Sequence, residues 1–271
     1  MVSDDPSQAD PAIPASVLEK WGPRTGRKWE LVWSYPGDQS SWRITSTGEE
    51  VLYLKAGRSD LTVRVASDCE RTRWAFPHLP VPRIVDCGTE AGVDWMLNTA
   101  LPGVDATSSR FKSDRERLVT ALGEGLRRFH DAPVDSCPYD FGLRVQMERV
   151  RDRVFRGLIK PEQDLHEEFA HHTPESAIAQ LVELRPDSED LVVCHGDYCL
   201  PNVTVENWEA VGYMDLGELG VSDRWWDVAV GAWSVTWNLG AGLEGLFYDS
   251  YGIEPDPNRI IFYRLLYDLV S

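Results

Sequence analysis

The stretch VVCHGDYCLPNVTV, Val192 to Val205, constrains this chain more than any other. An apolar run that reads as a buried strand breaks into His195-Gly196-Asp197, and Asn202 follows five residues later. A short hairpin then returns the chain to Asp215-Leu216-Gly217, eighteen positions beyond Asp197. A buried strand does not need an aspartate at its end. Three polar residues at fixed offsets around one strand-loop-hairpin demand a fold that turns a small β insertion towards a reacting group.

Phosphoryl transfer asks for such a set. One carboxylate orients the attacking hydroxyl and accepts its proton, while an amide oxygen and a second carboxylate hold Mg²⁺ on nucleotide phosphates. Asp197 suits the first role, and Asn202 and Asp215 the second. A phosphate partner is then expected upstream. The 27 Lys and Arg include only five lysines, and Lys55 is the one inside an apolar alternating strand, EVLYLKAG. Kinases place a strand lysine on the nucleotide phosphates and fix it with a helix acid. A water-facing edge-strand lysine looks the same from the strand alone; the downstream set favours the phosphate. The turn YPGDQSS offers backbone N–H groups of Gly37, Ser40 and Ser41 to phosphate oxygens, although it is not a G-x-G-x-x-G loop.

The pattern along the chain is mostly strand before residue 100 and mostly helix after it. Residues 1–16 read as a loose, flexible tail. Trp29–Ser34, Trp42–Ser46, the strand around Lys55, PRIVDCG and DWMLNTA read as strands. Arg64–Phe76, without Gly or Pro, reads as a helix stopped by Pro77. Helices follow near 113–130, with Leu118, Leu122, Leu126 and Phe129 on one face, near 142–158 and near 174–184. Strands at Val203–Val205 and Val211–Met214 interrupt, and helical segments run to the end. The expected class is α+β: an N-terminal, mostly antiparallel lobe over 17–98 with one helix, and a mostly helical lobe over 99–271 with a short β-hairpin insertion.

Charge narrows the partners. A formal net charge of −17 argues against nucleic acid, which needs a basic face, and allows a cationic ligand to be steered in. Five cysteines without C-x-x-C spacing, no signal-like apolar start and no apolar run of membrane length suggest a reduced, cytoplasmic protein that does not span a membrane.

VLYLKAG, LPVPRIVDCG, RRFHDAPVDSCPYD, EDLVVCHGDYCLPN, YMDLGELGVSDRWWDVAV and IIFYRLLYDLV stand in an order and at a spacing similar to the aminoglycoside phosphotransferases of the 3'-hydroxyl and 3''-hydroxyl type. The resemblance covers nearly everything from about residue 29 onward. It implies a two-lobed, protein-kinase-like fold and Mg²⁺-dependent transfer of the γ-phosphate of ATP or GTP to a hydroxyl of a polycationic aminoglycoside antibiotic. Antibiotic resistance is the implied outcome, and a monomer or weak dimer the implied state. Residue by residue, Asp197 resembles the catalytic aspartate, Asn202 and Asp215 the magnesium ligands, and Lys55 the lysine on the α and β phosphates. The lysine's acid partner falls on Asp68, with Glu70 as an alternative. The adenine-contacting backbone falls on Thr99 and Leu101, and Asp227 resembles an aspartate that braces the catalytic loop. The acidic aminoglycoside pocket maps onto Asp164, Glu167, Glu168 and Asp268; for Glu167 and Glu168 a solvated helix face is an equal alternative. Trp225, Trp226, Trp233 and Trp237 read as packing for the helical lobe. Leu200 sits where some 3' enzymes carry a substrate-binding aspartate, and Glu218 where they carry arginine. Two other functions remain open: a kinase of another small hydroxylated metabolite on the same fold, and a pseudokinase acting as a nucleotide-binding module.

Overall fold

The computed structural model describes residues 5–23 and 26–270. Contacts divide the chain into two compact units. The first runs to Pro102 and takes back Gly212–Glu218; the second holds Gly103–Val211 and everything from Leu219. The sequence-based boundary at 98/99 lies close to the first crossing but does not anticipate the short return.

Among the described residues, the first unit is a five-stranded antiparallel sheet with two α-helices. Its elements are α1 (Ala15–Trp21), β1 (Lys28–Tyr35), β2 (Gln39–Thr45), β3 (Leu52–Arg58), α2 (Val65–Ala75), β4 (Ile84–Glu90) and β5 (Val93–Thr99), with strand order β1-β2-β3-β5-β4. The period-two alternation of β3 sends Leu52, Leu54 and Ala56 to one face, where they join Trp29, Trp42, Ile44, Val93, Trp95 and Leu97 in the core. Tyr53 and Lys55 therefore face the other way, and Lys55 pairs with Ser41 and Met96 across the sheet. Buried Met96 packs there with Val65 and Cys69 of α2. Helix α2 buries Val65, Asp68, Cys69 and Thr72, the spacing of a single helical face.

Residues 5–16 are not the loose tail expected of them. Pro6–Gln8 form one 3₁₀ turn, and Ile13 and Val17 are buried in the same cluster as Trp29 and Trp42. Their apolar side chains gain more from covering the sheet than the short segment loses in chain entropy. Residues 1–4 of the expected tail lie outside the described residues.

The second unit contains β6 (Val104–Asp105), α3 (Arg115–Phe129), α4 (Leu143–Phe155), α5 (Pro161–Asp164), α6 (Pro174–Leu184), β7 (Leu191–Cys194), β8 (Val203–Glu206), most of β9 (Glu209–Tyr213), β10 (Gly220–Asp223), α7 (Trp225–Leu239), α8 (Glu244–Tyr251) and α9 (Pro257–Val270). The expected apolar face of α3 is buried throughout, and α3 packs on α8. Helix α9 lies against α7, α4 and α6. Sequence patterning missed β10, which pairs antiparallel with β7 and sets Gly220 opposite Cys194. Four residues give a period-two pattern too little length to register. Among the described residues no helix is long and apolar enough to cross a membrane.

Candidate active site

In the first unit the site is built around a buried charge pair. Lys55 Nζ lies 2.9 Å from Asp68 Oδ2 and 2.6 Å from Asp215 Oδ1. Burial alone would lower the lysine's pKa, but the charges and hydrogen bonds of Asp215 and Asp68 outweigh it and hold the ammonium above its ordinary value. The acid partner of Lys55 is thus Asp68, and Glu70 is exposed. Asp68 is 1% exposed and also accepts from the Leu216 N–H at 3.0 Å and the Thr72 hydroxyl at 3.2 Å. One buried carboxylate therefore ties the strand lysine to the Asp215-Leu216-Gly217 turn.

That turn passes close to the Val63 side chain, which a side chain at Gly217 would have to displace. A Cβ on Gly217 would stand 2.7 Å from Val63 Cγ1. Asp215 itself sits at φ +62°, a left-handed conformation uncommon for a residue with a side chain and often found where a functional group must be aimed.

In the second unit the loop after β7 carries Asp197. Asn202 Nδ2 donates to Asp197 Oδ2 at 2.9 Å and to its carbonyl at 3.0 Å, so aspartate and asparagine are locked together. The Tyr267 hydroxyl, from α9, donates to Asp197 Oδ1 at 2.9 Å, and Cys199 Sγ reaches the same oxygen at 3.1 Å. Burial, followed by the charge of Asp197, raises both the phenol and the thiol well above their ordinary pKa, so both stay protonated and donate.

The loop is braced from behind, as the resemblance implied for Asp227. Wholly buried, Asp227 accepts from the His195 N–H at 2.5 Å and the Gly196 N–H at 2.9 Å, and its Oδ2 is 3.1 Å from His130 Nε2. Gly196 holds φ +87°, which a glycine adopts without steric cost. Its carbonyl accepts from Trp226 Nε1 at 2.8 Å, and the Leu200 N–H donates to Ser234 Oγ at 3.0 Å. Trp226, Ser234, His130 and Tyr267 were not singled out as supports of this loop. They lie 29 or more residues from Asp197 on either side, and no local pattern marks such contacts.

Burial lowers the pKa of His130, against the opposing pull of Asp227. The folded chain then resists a proton that the unfolded chain accepts near pH 6.5. Stability is complete above that pH and is lost as pH falls below it, by at most about 1.4 kcal/mol per pH unit for this one group. Thermal unfolding from pH 7 to pH 5 should show the decline, and it should be shallower in His130→Gln. A decline of equal slope in that variant would exclude His130 as its source.

Several expected site residues are placed otherwise. Asp268 is fully buried: its oxygens accept from the His166 N–H at 2.9 Å and from Arg264 at 3.3 Å, and His166 Nδ1 lies 2.7 Å away. It joins α9 to the segment that follows α5 and presents no acid to solvent. Asp164 folds back to accept from the Lys160 N–H at 2.7 Å, and the same oxygen lies 3.7 Å from Arg153 Nη2. Glu167 and Glu168 remain exposed, Glu168 at 3.5 Å from Arg264 Nε. Ser40 lies inside β2, not in the turn, and its buried hydroxyl accepts from Trp42 Nε1. The turn itself is Pro36–Asp38, with Gly37 at φ +83°. The Thr99 N–H is taken by the Arg83 carbonyl at 3.0 Å, so it is not open to a base. Leu200 is 2% exposed, so it faces the core. Trp225 and Trp226 pack inside as expected, whereas Trp237 is 69% exposed.

A Lys–Asp pair tied to an Asp-x-Gly turn, and an Asp–Asn pair on a braced loop, are the parts a kinase uses. A family model, the phosphotransferase enzyme family, matches residues 34–263. The chain belongs to this family. An aminoglycoside 3'-phosphotransferase of Streptomyces fradiae is 35% identical over 211 residues, covering 74% of this chain and 78% of that protein. A streptomycin 3''-kinase of Streptomyces griseus is 37% identical over 239 residues, covering 83% and 87%. Among solved structures, an aminoglycoside-3'-phosphotransferase of type VIII superposes with a TM-score of 0.80 at 29% identity, covering 90% of this chain and 94% of that one. An aminoglycoside phosphotransferase from Streptomyces rimosus follows at 0.79 and 26%, covering 95% and 99%. The phosphotransferase thus has the α+β, kinase-like fold of these enzymes.

Proposed function

We propose that this phosphotransferase moves the γ-phosphoryl group of ATP or GTP to the 3'- or 3''-hydroxyl of an aminoglycoside and so confers resistance to it. The observation that carries the reading is the Asp197 carboxylate, held by Asn202 on one oxygen and Tyr267 on the other, in a chain similar to both 3' and 3'' enzymes. The Streptomyces rimosus relative has been solved with ADP and streptomycin, which supports a nucleotide and an aminoglycoside as the two substrates. A nucleotide co-substrate is consistent with work in the cytoplasm.

In this reading Asp197 orients the acceptor hydroxyl and takes its proton as the phosphoryl group leaves the nucleotide. Lys55, kept cationic by Asp68, lies on the α and β phosphates. Gly37 supplies a turn over the phosphates, and Leu101 offers backbone groups to the base. Asn202 and Asp215 suit Mg²⁺, because both offer hard oxygens. The Asn202 amide nitrogen is committed to Asp197, so its Oδ1 is the atom left to coordinate. When bound, the ion neutralises charge on the β and γ phosphates. Glu167 and Glu168 are the exposed acids that remain for the ammonium groups of the acceptor.

The test is nucleotide consumption over a panel containing streptomycin and aminoglycosides with an unblocked 3'-hydroxyl, with ATP and GTP in turn. Acceptor-dependent consumption and a phosphorylated product are expected for at least one member. Consumption that no aminoglycoside stimulates would overturn the substrate assignment.

A further inference from the structure

Helix α9 brings one more residue to the reacting carboxylate. We propose that Tyr267 is a positioning residue: together with Cys199 it fills Asp197 Oδ1, so that Oδ2 is the oxygen that receives the acceptor hydroxyl. This rests on the phosphoryl-transfer reading above and adds which oxygen acts and what selects it.

The argument is a count of donors and lone pairs. Each carboxylate oxygen offers about two acceptor directions. Oδ1 takes the Tyr267 hydroxyl at 2.9 Å and the Cys199 thiol at 3.1 Å, and is full. Oδ2 takes Asn202 Nδ2 at 2.9 Å and keeps one direction. Tyr267 is fixed in its turn: its ring lies 6.3 Å from that of Trp226 and 6.1 Å from that of Trp233, with the Arg264 guanidinium 5.6 Å above it. The neighbour Asp268 turns inward to His166 and Arg264, so α9 meets the reacting carboxylate with a neutral donor and not with an acid. A tyrosine hydroxyl that only needed a partner in a protein interior could take a backbone carbonyl, as Tyr198 does with Leu122. Tyr267 takes the carboxylate instead.

The experiment compares the parent with Tyr267→Phe, which removes one oxygen and keeps the ring. Two rates are read: transfer to an aminoglycoside, and hydrolysis of the nucleotide with water as acceptor. Both use Asp197, and hydrolysis needs no acceptor to be identified. Each kcat should fall about tenfold, the loss of one charge-assisted hydrogen bond, while KM for nucleotide and acceptor stays within about twofold. Tyr263→Phe is the control. It removes a buried hydroxyl of the same helix that donates to Asp223 at 3.0 Å, and it should lower thermal stability without the tenfold loss of kcat. A kcat for hydrolysis within about twofold of the parent in Tyr267→Phe would overturn the positioning role. So would an equal loss in Tyr263→Phe, since the effect would then be one of helix stability. A parent that hydrolyses nucleotide but transfers to no aminoglycoside would overturn the substrate reading instead, with the Tyr267 comparison still read from hydrolysis.

Discussion

Asp197→Ala is expected to cut kcat by about 10²–10⁴-fold, the range that a positioned general base contributes, while nucleotide still binds. The asymmetry follows from where the side chain sits. Its oxygens are engaged by Asn202, Tyr267 and Cys199, all in the second unit, whereas the Lys55–Asp68 pair proposed to meet the phosphates belongs to the first. Truncation removes the group proposed to orient the hydroxyl and leaves the lysine pair intact. Steady-state kinetics with a nucleotide-binding titration decides it. Near-parent turnover would remove Asp197 from the reaction. Loss of nucleotide binding equal to the loss of turnover would make the residue a nucleotide ligand.

The largest loss of stability is expected from Asp227→Ala, a site with no contact to substrate in the proposed mechanism. Its side chain is the acceptor for two buried backbone N–H groups, those of His195 and Gly196, and lies 3.1 Å from His130 Nε2. Alanine leaves these groups buried without a partner, and each such loss costs about 1–3 kcal/mol. The three are neighbours and do not add fully, so about 3–5 kcal/mol is expected for the variant. For a chain of this size that corresponds to a fall in Tm of about 6–20 °C. The loop carrying Asp197 loses its brace at the same time, so kcat should fall even where the protein remains folded. Denaturant unfolding followed by tryptophan fluorescence reads the first effect. A loss below about 1 kcal/mol would mean that water or a rearranged loop satisfies these groups.

The parts legible in the sequence are those written locally. Alternation of Val51, Tyr53 and Lys55 against Leu52 and Leu54 announced β3 and turned Lys55 away from the leucines, because side-chain direction in a strand depends only on the parity of position. The stripe Leu118, Leu122, Leu126 and Phe129 announced α3 for the same kind of reason. His195-Gly196-Asp197, Asn202 and Asp215-Leu216-Gly217 pointed to the chemistry proposed, since a loop of fixed length limits what its residues can reach. Asp227 was found only through resemblance, and the structure supplies its reason in two backbone N–H groups.

The remaining features depend on contacts between residues distant in the chain. Nothing local distinguishes Asp268 from an acid on a binding surface, yet His166, at a sequence separation of 102, and Arg264 enclose it. Nothing local assigns Tyr267 to Asp197, at a separation of 70. Asp68 is chosen over Glu70 because the buried face of α2 passes through 65, 68, 69 and 72, and a position two residues on points elsewhere. Ile13 and Val17 belong to the core because the sheet has an apolar face to cover, which the residues before β1 do not reveal by themselves. Local patterning singled out the groups proposed for the chemistry and the elements that carry them. Burial and long-range hydrogen bonds decided which acids are spent as supports and which donors hold the reacting carboxylate, because those depend on what packs against a residue and not on its neighbours in the chain.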